Sequence, residues 1–554
     1  LVVLLERRIG LLFAAFLVLL LLAAGRALFI GTFKGSSLAS AAASQQVSSI
    51  ELPARRGTIV DRHGVELAVS DPADDVSATP YLVKDPVRTA GKLAPLLGAD
   101  ADALTRKLAQ RNTGFVYLAR AVPAALAQRI QKLDLTGIQL TPGYRRVYPR
   151  NFLASQLLGR IGTDGDGLSG LEYADDKRLE GQSGERRLVK DALGEPIQMR
   201  TTKPTKPGAR LELSIDALIQ DKVERVLADV GQQYRPKGAT AIVMNPNTGE
   251  LLALANWPRV DANDPSSAPA YALQNRAVGA TYEPGSTFKS VTVAGALQDG
   301  TVTPDTPFNL APQIQVADRT IGESHVRGPV TLTTAQILAQ SSNVGAITIG
   351  LRMGAPTFDA WVRRFGFGKP TGVDLPGEER GIVPLLRNYS GSSMGNLPIG
   401  QGIAVTPMQM AQAYAAIANG GVLRTPRVVR RVDGKLLPQS KGRRVISAST
   451  AARLRAMLEG VFAPGGTASE VTIPGYKLAG KTGTANKIDP ITHEYSSSAY
   501  VASFIGFAPA LHPKLLIAVM VDEPHSDIYG GTVAAPAFGK IASFALPYLR
   551  IPPQ

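Results

Sequence analysis

An uncharged apolar run from Ile9 to Gly25 (IGLLFAAFLVLLLLAAG) dictates where the rest of this chain can fold. It is about 17 residues long and continues past Arg26 to Ile30, close to the roughly 20 residues of a spanning helix if Arg26 snorkels to the interface. Arg7 and Arg8 precede it. By the positive-inside rule they leave the first residues in the cytoplasm and everything after about residue 31 outside. A cleaved signal peptide is the competing reading, with small-residue sites at Ala39-Ser40-Ala41 and Ala41-Ala42-Ala43. The run is longer than the usual ~7–15 residues and those sites lie far from its end, so an uncleaved single-pass anchor is expected.

Beyond that helix, a chain of 554 residues is too long for one core and implies two or more domains of ~100–200 residues. It has no cysteine, which removes disulfides, thiol nucleophiles and thiolate metal sites and is compatible with an oxidising space outside the cytoplasm. The formal net charge is +15, yet no Lys/Arg run is interleaved with aromatics, so nucleic acid is not an expected partner. A basic surface facing an acidic polymer or anionic lipid fits the charge, as does a general compositional bias.

The expected organisation is a cytoplasmic tail over 1–8, the anchor over 9–30, a first domain over 31–205 and a second over 206–554. Residues 31–50 read as a Ser/Ala/Gln-rich stalk. Between Arg56 and residue 200, Leu104–Ala109 and Pro123–Leu133 have helical patterns, and Phe115–Leu118 and Gly137–Val147 extended ones. Lys203–Gly208 (KPTKPG) is a Pro/Gly-punctuated linker. After it, ATAIVMN, the turn Pro246–Gly249 and ELLALAN predict a β-hairpin. Helical segments follow around 286–298, 334–351, 406–418 and 449–461, the last capped by Ser449. KLAGKTGTA, YVASFIGFAPA and KLLIAVMVD predict three strands. A hairpin, then helices, then strands and a last helix imply an α+β fold, an antiparallel sheet flanked by helices.

Three short stretches carry chemistry. In YEPGSTFKS (Tyr282–Ser290), Pro284 and Gly285 start a helix that is apolar on most faces, with Ser286 near its N-terminus and Lys289 at i+3 on the same face. A lysine on a buried helix loses solvation, its pKa falls, and the free amine can take a proton from the hydroxyl. The bland alternative is a lysine snorkelling from a surface helix. Ser341-Ser342-Asn343 places a hydroxyl and an amide at the head of the apolar VGAITIGL, where a simple N-cap would use the same residues. In Lys481-Thr482-Gly483-Thr484, pleat alternation puts Thr482 and Thr484 on one face, and Gly483 admits a second backbone. With a lysine ammonium nearby, this strand could add a carboxylate-ended peptide as an extra strand, or be an ordinary edge with a protective lysine. The five histidines offer no Ser-His-Asp pattern.

Together and in this order, S-x-x-K, an S-x-N and K-T-G are the signature of penicillin-binding proteins and class A β-lactamases. Over nearly its whole length the chain resembles the class B penicillin-binding proteins, the peptidoglycan D,D-transpeptidases. That resemblance implies Ser286 as the acylated nucleophile, Lys289 as its base, Ser341 as proton relay to the leaving amine, Asn343 as a substrate amide contact and Lys481 as an electrostatic element. It implies Thr482, Gly483 and Thr484 as the substrate-binding strand, and the backbone N–H groups of Ser286 and Thr484 as the oxyanion hole. GQGIAVTP (Gly400–Pro407) and GTA (Gly466–Ala468) look like family sequence around the pocket. RGTIVDRHGVELA (Arg56–Ala68), GLSGLE (Gly167–Glu172) and LEGQSG resemble the motifs of the elongated α+β pedestal, or dimerisation-type, domain. Of these, Arg56, Gly57, Asp61, Arg62, Gly64, Gly167 and Glu172 are read as structural. One departure is Glu323 in Ile321–His325, where the family pattern would have aspartate.

YVASFIGFAPALHPK (Tyr500–Lys514) and YGGTVAAPAFGKI (Tyr529–Ile541) are most similar to the division branch, the FtsI type, with the elongation branch as runner-up. The resemblance implies a membrane-anchored transpeptidase outside the cytoplasm, needing no metal or cofactor. It would act on stem peptides ending in D-Ala-D-Ala, be acylated by β-lactams, and work with an FtsW-type glycosyltransferase and other divisome proteins. A β-lactamase or carboxypeptidase, or a penicillin sensor or divisome scaffold with a relic site, are the competing classes.

Overall fold

The apolar run forms helix α1 (Val2–Phe29) in a computed structural model that describes residues 2–34, 47–190, 196–489, 491–492 and 494–553. Leu11, Leu12, Phe13 and Leu21 on α1 are all more than 60% exposed, so at these positions the helix presents its apolar side chains outward. Among the described residues, Arg7–Thr32 is the one stretch of helix long and apolar enough to cross a membrane. Much of the expected stalk, with the small-residue sites at 39–43, lies outside the described residues.

The rest folds as two compact units that interleave in sequence. The first comprises residues 1–55, 72–144 and 181–207. In it, strands Val47–Leu52, Gly184–Lys190 and Pro196–Lys203 form an antiparallel sheet. Helices Pro86–Leu97, Ala101–Leu108 and Ala124–Gln131 gather round strand Val116–Pro123 over a core that includes Leu93, Leu104, Leu118 and Ile130. The second and third of these helices and the strand are the helical and extended signals of the sequence, shifted by a few residues at their ends, whereas helix Pro86–Leu97 was not read from it. Asp85 and Asp100 cap the first two helices through their carboxylates.

The second unit comprises residues 56–71, 145–180 and 208–554, so the segments carrying Arg56, Asp61 and Glu172 fold with it. Helix α2 (Ala217–Tyr234) is capped by Asp216, whose carboxylate accepts from the backbone N–H of Leu218 and Ile219. The predicted hairpin forms as β1 (Gly238–Met244) and β2 (Leu251–Trp257). Then come helices α3 (Lys289–Gln298), α4 (Thr334–Ala339), α5 (Asn343–Met353), α6 (Pro407–Ala418) and α7 (Ala448–Glu459). Strands β3 (Ala479–Ile488), β4 (Tyr495–Ala508), β5 (Leu515–Asp522) and helix α8 (Ala535–Tyr548) complete the unit. The sheet order is β2-β1-β5-β4-β3 with every pairing antiparallel, which leaves β3 as an edge.

Side-chain alternation explains why β1 and β5 read as continuous apolar runs. Ala239, Ala241 and Val243, with Leu515, Ile517 and Val519, join a core beneath α2 and α8. Ile242 and Met244, with Leu516, Ala518 and Met520, join a second core with the helices α3 to α7. A sheet covered on both faces needs apolar residues at successive positions. Each large side chain fully buried this way contributes roughly 1.5–3 kcal/mol.

Two boundaries differ from the sequence expectation. The segment 334–351 is two helices, α4 and α5, broken at Ser341, whose φ of +61° lies in the left-handed region. Apolar spacing continues across the break and so conceals it; the caps locate it, Thr333 in a capping box with Gln336 before α4 and Ser342 before α5. Helix α7 is capped by Ser447 rather than Ser449: Ser447 Oγ accepts from Thr450 N at 3.1 Å, and its extended backbone suits the capping position.

Candidate active site

Pro284 and Gly285 open a short 3₁₀ turn, Gly285–Phe288, that runs into α3. Gly285 has φ +52°, and a Cβ there would sit 3.1 Å from both the Thr484 carbonyl and the Ala485 Cβ of β3. The turn is therefore laid directly on the edge strand, and glycine is what allows the approach. From behind, Gly285 N donates to Gly400 O at 3.0 Å, and the buried Tyr414 hydroxyl donates to Thr287 O at 2.7 Å. This places Ser286 half-buried between β3 and the helices, with Lys289 wholly buried one turn on.

Lys289 Nζ donates to Ser341 O at 2.6 Å, to Asn343 Oδ1 at 2.7 Å and to Ser341 Oγ at 3.3 Å. Among the described residues the Ser286 hydroxyl has no hydrogen-bond partner, so the amine is held by the Ser341–Asn343 turn and the serine is left unengaged. The left-handed Ser341 is what turns its carbonyl towards the lysine while its neighbour Ser342 caps α5, Oγ accepting from Gly345 N at 3.0 Å. Burial lowers the Lys289 pKa to about 7, against a partial upward pull from the Glu323 carboxylate. The sequence offered a desolvated amine beside a hydroxyl; the structure adds the two groups that aim it.

On β3, Lys481 and Gly483 share the face that looks to α3, while Thr482 and Thr484 lie on the other. Thr482 Oγ1 bonds Thr467 Oγ1 at 2.7 Å, which gives the GTA stretch its place, and Thr484 Oγ1 accepts from Gly530 N at 3.1 Å. Lys481 is fully buried, and among the described residues its amine reaches only its neighbour, Thr482 O at 3.2 Å and Oγ1 at 3.3 Å. Burial, then the charge of Lys289, push its pKa well below the usual lysine value. The sequence suggested a ready ammonium here; desolvation instead disfavours that charge until an anion compensates it.

Gly483 is a tight fit. A Cβ there would press on Ser503 Oγ and stand 2.9 Å from the Thr287 methyl and 3.1 Å from Pro284 O. Gly483→Ala is expected to push the Ser286 turn off β3 and cut labelling by a fluorescent penicillin about a hundredfold, the scale of an ångström misplacement. Thermal unfolding and labelling rate measured together check this; a wild-type rate would show that the contact does not position Ser286.

The family-pedestal residues form a separate cluster within the second unit. Glu172, fully buried, accepts from Arg56 Nε and Arg146 Nε, each at 2.7 Å, and Arg56 also reaches Asp176 at 2.7 Å. Asp61 Oδ1 accepts from His63 N and Val65 N at 2.8 Å and Oδ2 from Ala217 N at 3.1 Å, fixing a turn in which Gly64 has φ +87°. Arg62 joins through its backbone, N donating to Ile215 O at 2.9 Å. A Cβ on Gly57 or Gly167 would collide with the carbonyls of Ala209 and Glu172. None of these side chains contacts the Ser286 site.

Sequence reasoning passed over Tyr414, whose hydroxyl is invisible in an apolar helical pattern. It marked Glu323 only as a departure. Its carboxylate accepts from Ser342 Oγ and from Asn343 N, both at 2.6 Å, at the head of α5.

A serine on a tight turn, a desolvated lysine and a hydroxyl-bearing edge strand of a five-stranded antiparallel sheet are the groups that a serine acyl transfer requires. The profile of the penicillin binding protein transpeptidase domain matches residues 239–543, and that of the penicillin-binding protein dimerisation domain residues 51–213. Peptidoglycan D,D-transpeptidase FtsI of Escherichia coli K12 is 36% identical over 517 residues, covering 92% of this chain and 85% of that protein. Stage V sporulation protein D of Bacillus subtilis 168 is 34% identical over 544 residues, covering 94% and 82%. The crystal structure of penicillin binding protein 3 from Mycobacterium tuberculosis complexed with aztreonam superposes with a TM-score of 0.72 at 30% identity, over 91% of this chain and 98% of that one. The chain belongs to the penicillin-binding protein transpeptidases, class B, with a dimerisation domain ahead of the transpeptidase domain.

Proposed function

We infer that the chain cross-links peptidoglycan stem peptides through an acyl-enzyme on Ser286. The observation that carries this is the buried Lys289 amine, with a pKa of about 7, held by Ser341 and Asn343 one turn beyond an unengaged serine. Lys289 takes the Ser286 proton as Oγ bonds to the D-Ala-D-Ala carbonyl carbon. The oxyanion is received by the backbone N–H groups of Ser286 and Thr484. Collapse breaks the peptide C–N bond, and D-alanine leaves with a proton passed through Ser341. An amine of a neighbouring stem peptide then attacks the ester, returns its proton to the base and frees Ser286. Asn343 contacts the substrate amide, Thr482 and Thr484 take the terminal carboxylate along β3, and that negative charge offsets the burial that disfavours the Lys481 ammonium. A β-lactam enters as the dipeptide does and stays bound as an ester.

The protein is read as a cytoplasmic tail over 1–8, an anchor over 9–30, a pedestal over 31–205 and an extracytoplasmic transpeptidase domain over 206–554. Septal synthesis beside an FtsW-type glycan polymerase is favoured by the division-type pattern of Tyr500–Lys514 and Tyr529–Ile541. Depletion in the native cell is expected to give filaments; rounded cells would move it to the elongation branch.

Intact-mass analysis of the full chain in detergent with benzylpenicillin tests the chemistry. One drug mass is expected on the wild type and none on Ser286→Ala. An unmodified, folded wild type, or an adduct that survives in Ser286→Ala, would refute the nucleophile. Rapid hydrolysis of the adduct would reassign the chain to the β-lactamases.

A further inference from the structure

The loop after the small hairpin Gln313–Val316/Arg319–Gly322 brings a carboxylate to the active site that the proposed mechanism does not use. Glu323 has a side chain only 7% exposed. Besides the two bonds to Ser342 Oγ and Asn343 N, its Oε1 accepts from Arg327. The same loop holds the Asn343 side chain, whose Nδ2 donates to Gly322 O at 3.0 Å. That bond turns Oδ1 the other way, onto Lys289 Nζ. A chain of contacts thus runs Arg327–Glu323–Asn343–Lys289, with Asn343 gripped at both its backbone and its amide.

We propose that Glu323 is a positioning residue for acylation, fixing the Ser341–Asn343 turn with both carboxylate oxygens and, through its negative charge, biasing the proton on Lys289. The inference rests on the reading of Ser286 as nucleophile and Lys289 as base. Among the described residues Glu323 is the charge that acts on the Lys289 amine, favouring its protonation; the other buried amine of the site, Lys481 of β3, has its own charge disfavoured by burial and by Lys289. Of the charged side chains on the helices packed around α3, Arg363 pairs with Asp359, Arg364 with Val445 O and Arg455 with Ile417 O, while Arg352 and Arg453 are exposed and Glu459 is half-buried. Arg327 tempers Glu323 by pairing with it.

A cap that merely stabilises the turn would alter how fast the site works. A charge felt by the base alters the pH at which it works. The second-order rate constant for acylation by a fluorescent penicillin should be followed across about pH 5–9, bracketing the amine's value of about 7. The full chain in detergent would be compared with Glu323→Gln, Glu323→Asp, Arg327→Gln and Ser342→Ala. In Glu323→Gln the midpoint of the rise is expected to move to lower pH by on the order of one unit, because an opposing charge has been removed beside a cation. Glu323→Asp keeps the wild-type midpoint even where its plateau falls. Arg327→Gln moves the midpoint the other way, to higher pH, since Glu323 is no longer tempered. Ser342→Ala, which removes a bond but no charge, lowers the plateau and leaves the midpoint alone. An unshifted midpoint in both Glu323→Gln and Arg327→Gln, or an equal shift in Ser342→Ala, overturns the proposal; should Glu323→Gln not fold, Arg327→Gln alone decides it by the sign of its shift. Wild-type labelling that did not depend on Ser286 would instead refute the underlying assignment of the nucleophile.

Discussion

Replacing Lys289 by methionine is expected to slow acylation by a β-lactam by ~10²–10⁴-fold, the range of a lost general base, while the protein stays folded. Methionine fills similar space on the buried face of α3, and it removes an amine whose burial already disfavours its charge. The loss is three donated bonds, to Ser341 O, Asn343 Oδ1 and, at 3.3 Å, Ser341 Oγ, and it leaves the half-buried Ser341 carbonyl at the break between α4 and α5 without that donor. The wild-type rate should rise with pH through about 7 and then level, as the amine becomes free to accept the serine proton. In the variant that rise disappears. A second consequence separates this lysine from an ordinary one. The unfolded chain holds its proton up to the usual value of 10.5, whereas the native chain releases it near 7, so over that window the unfolded state binds more protons. Its contribution to stability therefore increases with pH between those values and is absent from Lys289→Met. Urea midpoints of both proteins at the two ends of the window measure the difference. A Lys289→Met protein that is acylated at the wild-type rate would show that another group takes the proton.

What the sequence made legible here is mostly what is local. The S-x-x-K turn, the strands β3 to β5 and the hairpin of β1 and β2 are each specified within a dozen residues, by a Pro-Gly start, by alternation or by a turn. The sheet order is not local. β1 pairs with β5 across the whole run of helices, and apolar runs covered on both faces give no register by their pattern. The break at Ser341 was masked for a related reason: Ile337, Leu338, Val344 and Ile347 keep a helical rhythm across a residue whose φ is positive. Chemistry was legible as residue type and, for Lys289 on its apolar helix, as a lowered pKa, but not for Lys481. Ser286, Lys289 and the hydroxyls of β3 could be named from spacing, but only depth in the fold shows that Lys481 resists its charge and that Glu323 faces the same turn as the base.

The second large effect lies away from the catalytic turn. Glu172→Ala is expected to lower the free energy of unfolding by ~3–5 kcal/mol, because it leaves two buried guanidinium groups facing an empty site. Arg56 and Arg146 each bond one oxygen of that carboxylate, and in the same unit Arg56 also ties down Gly165 O and Glu172 O. The intact network is not itself a large source of stability, since removing three charges from water costs much of what their attraction returns. Breaking it one-sidedly is what costs. Tyr148→Phe supplies the contrast: its hydroxyl reaches Glu172 Oε1 at only 3.4 Å, and its loss should cost no more than about 1 kcal/mol. Denaturant unfolding of both variants measures the two effects. The remaining folded fraction of Glu172→Ala should still be acylated at Ser286 with the wild-type rate constant, as no member of this cluster touches the Ser286 turn, α5 or β3. A small stability change accompanied by lost acylation would reverse the assignment, making Glu172 part of how the enzyme works and not of how its second unit is held together.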